Sequence, residues 1–171
     1  MSVLGILRWP SDRLRDVSQP VTDEELHGPE LRQLALDMHA TMLDRKGAGL
    51  SAIQVGVAKR MFGVLQDDSL TQGPHSIFFI NPEIVSLSDE RETKEEGCLS
   101  LPSIFVPLSR AKKVVLTALD LDGRKFTTEA EGTYARALQH EMEHLDGKTI
   151  ADHVGSAQRD LMRSKLRKVG R

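Results

Sequence analysis

The sequence predicts an α+β fold built mostly of antiparallel sheet. Helical periodicity is found towards both ends of the chain, runs typical of strands lie between them, and Asp122-Gly123 is a strong hairpin signal between two such runs. The chain has 171 residues, which fits one domain over residues 1–171 because domains commonly contain about 100–200 residues. No internal repeat, low-complexity segment or linker divides the sequence.

The first helix is predicted over residues 30–45. Residues 10–24 precede it and are rich in Pro, Asp, Ser and Arg, which is typical of an extended or irregular start. Apolar side chains then recur at the spacing of one helix face, and Gly47 and Gly49 end the pattern. The residues of this face are Leu31, Leu34, Met38 and Met42.

Short strands separated by loops are predicted in the middle of the chain. A loop of small residues is expected over residues 47–56, and a strand over residues 60–65. Residues 66–76 are polar and contain a Gly-Pro pair, which predicts another loop. A strand follows over residues 77–80, with Asn81-Pro82 as its turn.

The second half of the chain is predicted to contain a hairpin and two helices. The charge run over residues 88–96 is typical of a solvated hairpin or loop. Strands over residues 114–121 and 125–128 flank the hairpin turn. Helical patterns follow over residues 134–145 and 156–168, so the chain is expected to end in a helix.

Composition excludes several classes of protein. A net charge of −2 does not suit a chain that binds DNA or RNA through phosphate contacts. The single cysteine, Cys98, cannot form an internal disulfide, so nothing indicates an oxidising compartment. The N-terminus lacks a basic leader and a cleavage site, and no run is apolar enough to predict a membrane span. We therefore expect a cytoplasmic location, with neither membrane nor DNA as a partner.

Residues 140–144, with the letters HEMEH, fit the pattern H-E-x-x-H. Residues four apart on a helix share a face, so His140 and His144 can bind one metal ion. Glu141 lies near that face, and its carboxylate can act as general base on a water molecule beside the metal. Chance matches to this pattern are common, however, and two histidines on a helix are also typical of a surface.

The third metal ligand is predicted upstream of this helix. A metzincin would carry a histidine at the position of Ile150, and a thermolysin-like site would carry a later glutamate, yet no glutamate follows Glu143. Cys98 is the best candidate, because one thiolate and two imidazoles leave a fourth position open, as in catalytic metal sites. A buried core cysteine and a nucleophilic cysteine are the alternatives.

The small-residue segment that ends at Gly56 suggests a substrate site. Gly49 would let the backbone come close to a substrate, and the Gln54 amide would donate a hydrogen bond to a developing oxyanion. The alternative is that these glycines only end the preceding helix.

Three segments together resemble the peptide deformylase family. Residues 47–54 (GAGLSAIQ) resemble its G-x-G-L-A-A-x-Q motif, residues 96–100 (EGCLS) match E-G-C-L-S, and residues 139–145 (QHEMEHL) resemble Q-H-E-x-D-H-L. Their order and separations also fit, and the similarity covers nearly the whole chain. The resemblance implies an α+β catalytic domain with the H-E-x-x-H helix at its centre.

The resemblance implies a metal-dependent amidohydrolase that removes the formyl group from the N-terminal formyl-methionine of nascent polypeptides. Cys98, His140 and His144 would hold one divalent metal ion, Fe²⁺ in cells, with Zn²⁺, Ni²⁺ or Co²⁺ able to replace it. Glu141 would take a proton from the attacking water and return it to the leaving amine.

The resemblance also implies how the substrate binds. Gln54 and the backbone N–H of Leu99 would stabilise the oxyanion. Gly49 would pair its backbone with the peptide, Gly97 would allow a close approach of the backbone, and Thr133 would lie near the methionine pocket.

Four positions depart from the family pattern. Ser51 replaces the usual alanine, and Glu143 replaces the usual aspartate. Thr133 stands where a bulky apolar residue is common in the family. The segment of residues 103–105, which ends at Phe105, lacks an arginine that many bacterial members carry near this position. The last two departures motivate an alternative function, a related hydrolase acting on a different N-acyl substrate.

Two further expectations concern partners. A metal-stabilised binding module is the non-enzymatic alternative, although a structural site has no need of a base such as Glu141. The C-terminal segment is basic, which is typical of a solvated helix face, but it also resembles the C-terminal helix with which some bacterial deformylases dock on the ribosome. Its basic residues are Arg159, Arg163, Lys165, Arg167, Lys168 and Arg171.

Overall fold

The structure, a computed structural model, describes residues 1–66 and 74–169. Over these residues the strands are β1 Gly49–Ser51, β2 Met61–Gln66, β3 His75–Leu87, β4 Arg91–Cys98, β5 Leu101–Ala111, β6 Lys113–Leu119 and β7 Lys125–Glu131. They form a five-stranded sheet in the order β1-β2-β3-β6-β7 and a two-stranded sheet of β4 and β5, and every pairing between these strands is antiparallel. The predicted α+β class with mostly antiparallel sheet is therefore confirmed.

The three longer helices were predicted, two of them from their apolar spacing. The shortest helix was not, because its five residues bury only Leu26 and are too few to show a period. A capping box between Thr22 and Glu25 begins it, inside the stretch expected to be irregular. The helices are α1 Asp23–His27, α2 Pro29–Arg45, α3 Gly132–Leu145 and α4 Ser156–Val169, and single 3₁₀ turns lie at Asp12–Arg15, Ala52–Val55 and Ile150–His153.

The predicted turn at Asn81-Pro82 was wrong, because β3 continues through it. Asn81 adopts a left-handed conformation with φ of 48°, and the register against β6 shifts between Ile80 and Glu83. The Asn81 side chain bonds both backbone groups of Val21 at 2.8 Å, which holds this bulge in place. The predicted loop over residues 66–76 lies mostly outside the described residues.

Two segments expected to be loops contain strands. Residues 47–56 include β1 and a 3₁₀ turn, and most of the charge run over residues 88–96 belongs to β4. Alternate side chains of a strand point to opposite faces, so Glu95 is exposed whereas Glu96 is 7% exposed. The solvated interpretation of that run was therefore wrong at Glu96.

The five-stranded sheet is covered by a helix on each face. Phe78 and Phe79 are neighbours on β3, yet Phe78 packs in a cluster with residues of α2 and Phe79 in a cluster with residues of α3. The predicted apolar face of α3 is buried in the second cluster through Leu138, Met142 and Leu145. Helix α3 therefore has its opposite side available for a site.

The C-terminal helix is present as predicted. α4 packs on β5, where Met162 is buried in a third cluster with Trp9. Arg171 of the basic segment lies outside the described residues. Within the described ranges, none of the helices has the length and apolar character needed to cross a membrane.

Candidate metal centre

Helix α3 buries three polar residues on the side away from its apolar face. His140, Glu141 and His144 are 8%, 3% and 1% exposed. The Gln139 side chain fixes the helix against β5, because it donates to the carbonyl of Ala111 and accepts from its N–H, both at 3.0 Å. The position of the H-E-x-x-H residues is therefore set by both apolar packing and polar contacts.

Cys98, the last residue of β4, meets this helix. Its Sγ lies 3.3 Å from Nε2 of His144, and the Nε2 atoms of His140 and His144 are 3.1 Å apart. One ligand atom from each of the three residues lies within 4.8 Å of the others. The structure thus brings together the three residues predicted as metal ligands, although 42 residues separate Cys98 from His140 in the numbering.

The side chain of Glu96 is a part of this centre that the sequence reasoning did not identify. Its Oε1 lies 2.6 Å from Nδ1 of His140. A carboxylate can only accept, so Nδ1 carries the proton and Nε2 keeps its lone pair for a metal. Arg136 also donates to Glu96, at 3.1 Å. The E-G-C-L-S match was the available signal, because it placed a glutamate two residues before a ligand.

Arg110 connects Glu96 to Glu143. Its guanidinium donates to both oxygens of Glu96 at 2.7 and 3.1 Å, and to both oxygens of Glu143 at 2.6 and 3.0 Å. His153 lies against the outer side of Glu143 at 2.9 Å. The departure at Glu143 therefore falls within an ion-pair network that extends from the surface to His140.

The surroundings of His144 are different. Its Nδ1 is buried without a hydrogen-bond partner among the described residues, while its Nε2 faces Cys98 and His140. Its ring stacks edge-on against the His140 ring, with centroids 4.8 Å apart. Packing, and not a carboxylate, sets the orientation of this ring.

The electrostatics of the centre favour a Cys98 thiolate beside a protonated His140, an arrangement in which a metal cation would replace the proton of the imidazole. Burial alone would raise the pKa of the Cys98 thiol, but the charges and hydrogen bonds of His144 and His140 hold it well below its usual range. Burial raises the pKa of Glu141, so that carboxylate holds a proton more readily than an exposed glutamate. Metal binding needs a thiolate and neutral imidazoles, and a Cys-His-His set is a common arrangement for divalent transition metals. The residues present therefore fit a metal ion.

The side chains of Gln54 and Glu141 are both hydrogen-bonded to Ser51. The Gln54 amide donates to Oγ of Ser100 at 3.1 Å and lies 3.5 Å from Sγ of Cys98. Its oxygen accepts from the backbone N–H of Ser51 at 2.9 Å, so the amide N–H₂ is directed towards the metal ligands. The hydroxyl of Ser51 donates to Oε2 of Glu141 at 2.5 Å.

A cavity of about 630 Å³ opens onto this centre. His144 is 1% exposed and is not among the residues that line the cavity. Phe105, on β5, lines the cavity and is 63% exposed. All the other predicted site residues line the cavity, namely Gly49, Gln54, Gly97, Cys98, Leu99, Thr133, His140 and Glu141.

The chain is similar in sequence to proteins of a known family. The family model described as polypeptide deformylase matches residues 3–160. A peptide deformylase of Stutzerimonas stutzeri (strain A1501) is 40% identical over 171 residues, which cover 100% of this chain and 98% of that protein.

Solved structures agree with this match. The structure of a peptide deformylase from Ehrlichia chaffeensis in complex with actinonin has a TM-score of 0.91 and 35% identity, covering 100% of this chain and 99% of that one. A Met-Ala-Ser-bound class I type b peptide deformylase from Acinetobacter baumannii has a TM-score of 0.82 and 36% identity, covering 90% of this chain and 100% of that one.

Proposed function

The chain belongs to the polypeptide deformylase family, and from this premise we propose that its buried centre removes the formyl group from the N-terminal formyl-methionine of nascent polypeptides, releasing formate. One observation carries the assignment to this centre. The ligand atoms of Cys98, His140 and His144 lie within 4.8 Å of one another, next to the buried carboxylate of Glu141, where the cavity opens. The reaction is the hydrolysis of a linear amide.

The proposal treats residues 1–171 as one catalytic domain with the H-E-x-x-H helix at its centre. The family match over residues 3–160 supports the single domain. Helix α3 packs against strands of both sheets, including β2, β5 and β6, which supports its central position. The location we propose is the cytoplasm, where nascent chains are available to the enzyme.

Cys98, His140 and His144 would hold one divalent metal ion. When bound, such an ion supplies a Lewis acid that polarises a carbonyl and lowers the pKa of a water molecule to roughly 7. We propose Fe²⁺ as the cellular ion, with Zn²⁺, Ni²⁺ or Co²⁺ as replacements, because one thiolate and two imidazoles suit all of these. Metal analysis of anaerobically purified protein tests this choice.

Glu141 moves the proton in the proposed reaction. Its carboxylate takes a proton from the water that attacks the formyl carbon, and then gives that proton to the leaving amine. Burial raises its pKa, which favours the first transfer, because a carboxylate of higher pKa is the stronger base. The buried position of Glu141 also keeps bulk water away from the proton it carries.

Gln54 and Leu99 would stabilise the oxygen that becomes negative during the attack. The Gln54 amide is fixed beside Cys98 by bonds at both its ends, so it needs no reorganisation as charge develops. Leu99 follows Cys98 directly and lines the cavity, so its backbone N–H is one residue from the metal ligand. These are the two donors proposed for the oxyanion.

The peptide would lie along two backbone segments of the cavity. Gly49 belongs to β1, an edge strand of the larger sheet, and Gly97 belongs to β4, so an extended peptide can pair with main chain at either wall. Thr133, at the start of α3, would contact the methionine side chain.

The central test is formate release from a formyl-Met-Ala-Ser peptide by freshly purified protein loaded with iron or nickel. We expect turnover in the parent, and a loss of at least about 100-fold in Glu141→Gln, because general-base catalysis contributes roughly 10²–10⁴-fold. Metal content should be unchanged in the variant. Absence of formate release by the parent would sink the proposal, and an unaffected Glu141→Gln would favour the metal-stabilised binding module.

A second candidate is a related hydrolase acting on a different N-acyl group. Thr133 is small and polar in the proposed methionine pocket, and Phe105 exposes an aromatic ring at the cavity mouth. Kinetics with formyl-Met, formyl-Leu and acetyl-Met peptides distinguish the two. A preference for formyl-Met of about tenfold or more, equivalent to about 1.4 kcal/mol, would exclude the second candidate.

We also propose that α4 contacts the ribosome through its basic side chains. Three of them serve the fold, because Arg159 donates to the carbonyl of Val154, Arg163 stacks on Trp9 and Lys165 donates to the carbonyl of Ser103. Arg167 and Lys168 are exposed and remain available to phosphates. Reversing these two charges should weaken salt-sensitive cosedimentation with ribosomes while turnover of a short peptide is retained, and unchanged cosedimentation would refute the proposal.

A further inference from the structure

The short strand β1 presents two residues to the side chain of Glu141. Side chains two residues apart on a strand share a face, so Gly49 and Ser51 point the same way while Leu50 points to the opposite side. Leu50 is fully buried in the cluster beneath α2. The other face of β1 contacts α3 at Glu141.

The Ser51 hydroxyl lies within hydrogen-bond distance of two oxygens of Glu141. Oγ of Ser51 lies 2.5 Å from Oε2 of Glu141 and 3.2 Å from the Glu141 carbonyl. A buried serine needs one partner for its hydroxyl, and that carbonyl would suffice. The shorter bond is to the carboxylate, and hydrogen bonds to charged oxygens are the stronger ones.

The backbone of Gly49 lies against the other oxygen of the Glu141 carboxylate. A Cβ atom at position 49 would lie 2.6 Å from Oε1 of Glu141, which is closer than atoms can approach without displacement. Oε1 therefore lies over the bare backbone of Gly49, at the cavity wall, while Oε2 is held by Ser51. One oxygen of the carboxylate is thus bound by Ser51, and the other packs on Gly49 beside the cavity.

We infer that Ser51 is a positioning residue: its hydroxyl fixes the carboxylate of Glu141 so that Oε1, and not Oε2, faces the reacting atoms. The backbone N–H of Ser51 meanwhile holds Oε1 of Gln54, so one residue orients both side chains of the proposed reaction. The inference rests on the proposed function. It concerns a position where this chain carries a hydroxyl and the family motif has alanine.

The experiment compares Ser51→Ala and Ser51→Thr with the parent, using metal-loaded protein and a formyl-Met-Ala-Ser peptide. Misplacement of a reacting group by about 1 Å can cost roughly 10²-fold in rate. Partial loss of orientation in Ser51→Ala should therefore lower kcat about five- to tenfold, with KM and metal content unchanged. Ser51→Thr keeps the hydroxyl and should restore kcat to within about twofold.

Ser18→Ala is the matched control, because Ser18 is also a buried serine, and its Oγ has no hydrogen-bond partner among the described residues. It should leave kcat, KM and metal content unchanged. A kcat of Ser51→Ala within twofold of the parent overturns the inference. So does a loss that follows metal content or folded fraction, or an equal loss in Ser51→Thr.

A crystal structure of Ser51→Ala gives a readout that does not depend on activity. We expect the Glu141 carboxylate to occupy more than one rotamer there, with Oε1 no longer confined over Gly49. If the parent releases no formate, the proposed function fails, yet the crystal structure still decides whether Ser51 orients Glu141. A single unchanged rotamer in the variant would overturn the inference.

Discussion

The two histidines of the proposed metal centre lie one turn apart on α3, yet their Nδ1 atoms have different surroundings. His140 contacts Glu96, which in turn binds two buried arginines. His144 has no partner for its Nδ1 in the part of the chain that the structure describes. One ring is therefore oriented by charged hydrogen bonds and the other by packing.

This difference indicates which side of the proposed metal centre is ordered before a metal ion binds. The carboxylate of Glu96 fixes the tautomer of His140 before any ion arrives, which raises the basicity of its metal-binding nitrogen. Burial alone would raise the pKa of Glu96, but hydrogen bonds from His140 and Arg110 hold that pKa well below its usual range, so the carboxylate stays charged. We expect the His140 side to persist without metal and the His144 side to depend on it.

The largest predicted effect comes from Glu96→Gln, which removes the charge that supports His140. Arg110 and Arg136, whose side chains are 5% and 10% exposed, lose their shared carboxylate. Breaking a buried ion pair from one side costs about 3–5 kcal/mol. We expect that fall in the free energy of unfolding, measured with urea on chelated protein, and metal binding weakened roughly 10–100-fold.

Glu95→Gln is the matched control for this variant. Glu95 is the neighbour of Glu96 on β4, but its side chain is exposed. Its loss of charge should change the free energy of unfolding by no more than about 0.5 kcal/mol. Equal effects of the two substitutions would show that the contrast between the histidines has no energetic basis.

The sequence could predict α2 and α3 because each buries an apolar face at helical spacing, and the hairpin at Asp122-Gly123 because that turn is local. It could not predict that Glu96 is buried, because its partners Arg110, Arg136 and His140 lie 14, 40 and 44 residues away. A charge that is paired at such separations has the same local pattern as a solvated one.

The site itself was predictable to the extent that its residues form motifs. The helical spacing of His140 and His144 indicated a shared metal, and elimination of downstream ligands pointed to Cys98. The role of Ser51 was not predictable in the same way. Its departure from alanine looked like a small change, and only the fold places its hydroxyl against Glu141.

Removal of the metal by a chelator is predicted to have the next largest effect and to separate the two rings. A ligand present at 100 times its Kd stabilises the folded state by about 2.7 kcal/mol, so chelation should lower stability by about that amount. In nitrogen-15 NMR spectra, the Nδ1 proton of His140 should stay protected from exchange, since Glu96 still accepts it. The signals of His144 should broaden or shift. Equal loss of order at both rings would contradict the comparison.

The smallest predicted effect is that of Glu143→Asp, which tests how far support for His140 extends towards the surface. Burial alone would raise the pKa of Glu143, but Arg110 lowers it below the usual value, so the carboxylate is charged where it binds that arginine.

Shortening the Glu143 side chain by one methylene withdraws it from both Arg110 and His153, but leaves the bonds from Arg110 to Glu96 in place. We expect the free energy of unfolding to fall by less than about 1 kcal/mol, because the side chain of Glu143 is 23% exposed and water can replace part of what it loses. Metal affinity should stay within about threefold of the parent, since the hydrogen bond to His140 is intact.

Glu143→Gln keeps the length of the side chain and removes its charge, so it should lower the free energy of unfolding more than Glu143→Asp does. If Glu143→Asp instead weakened metal binding as much as Glu96→Gln, the support of His140 would reside in the whole network and not in Glu96.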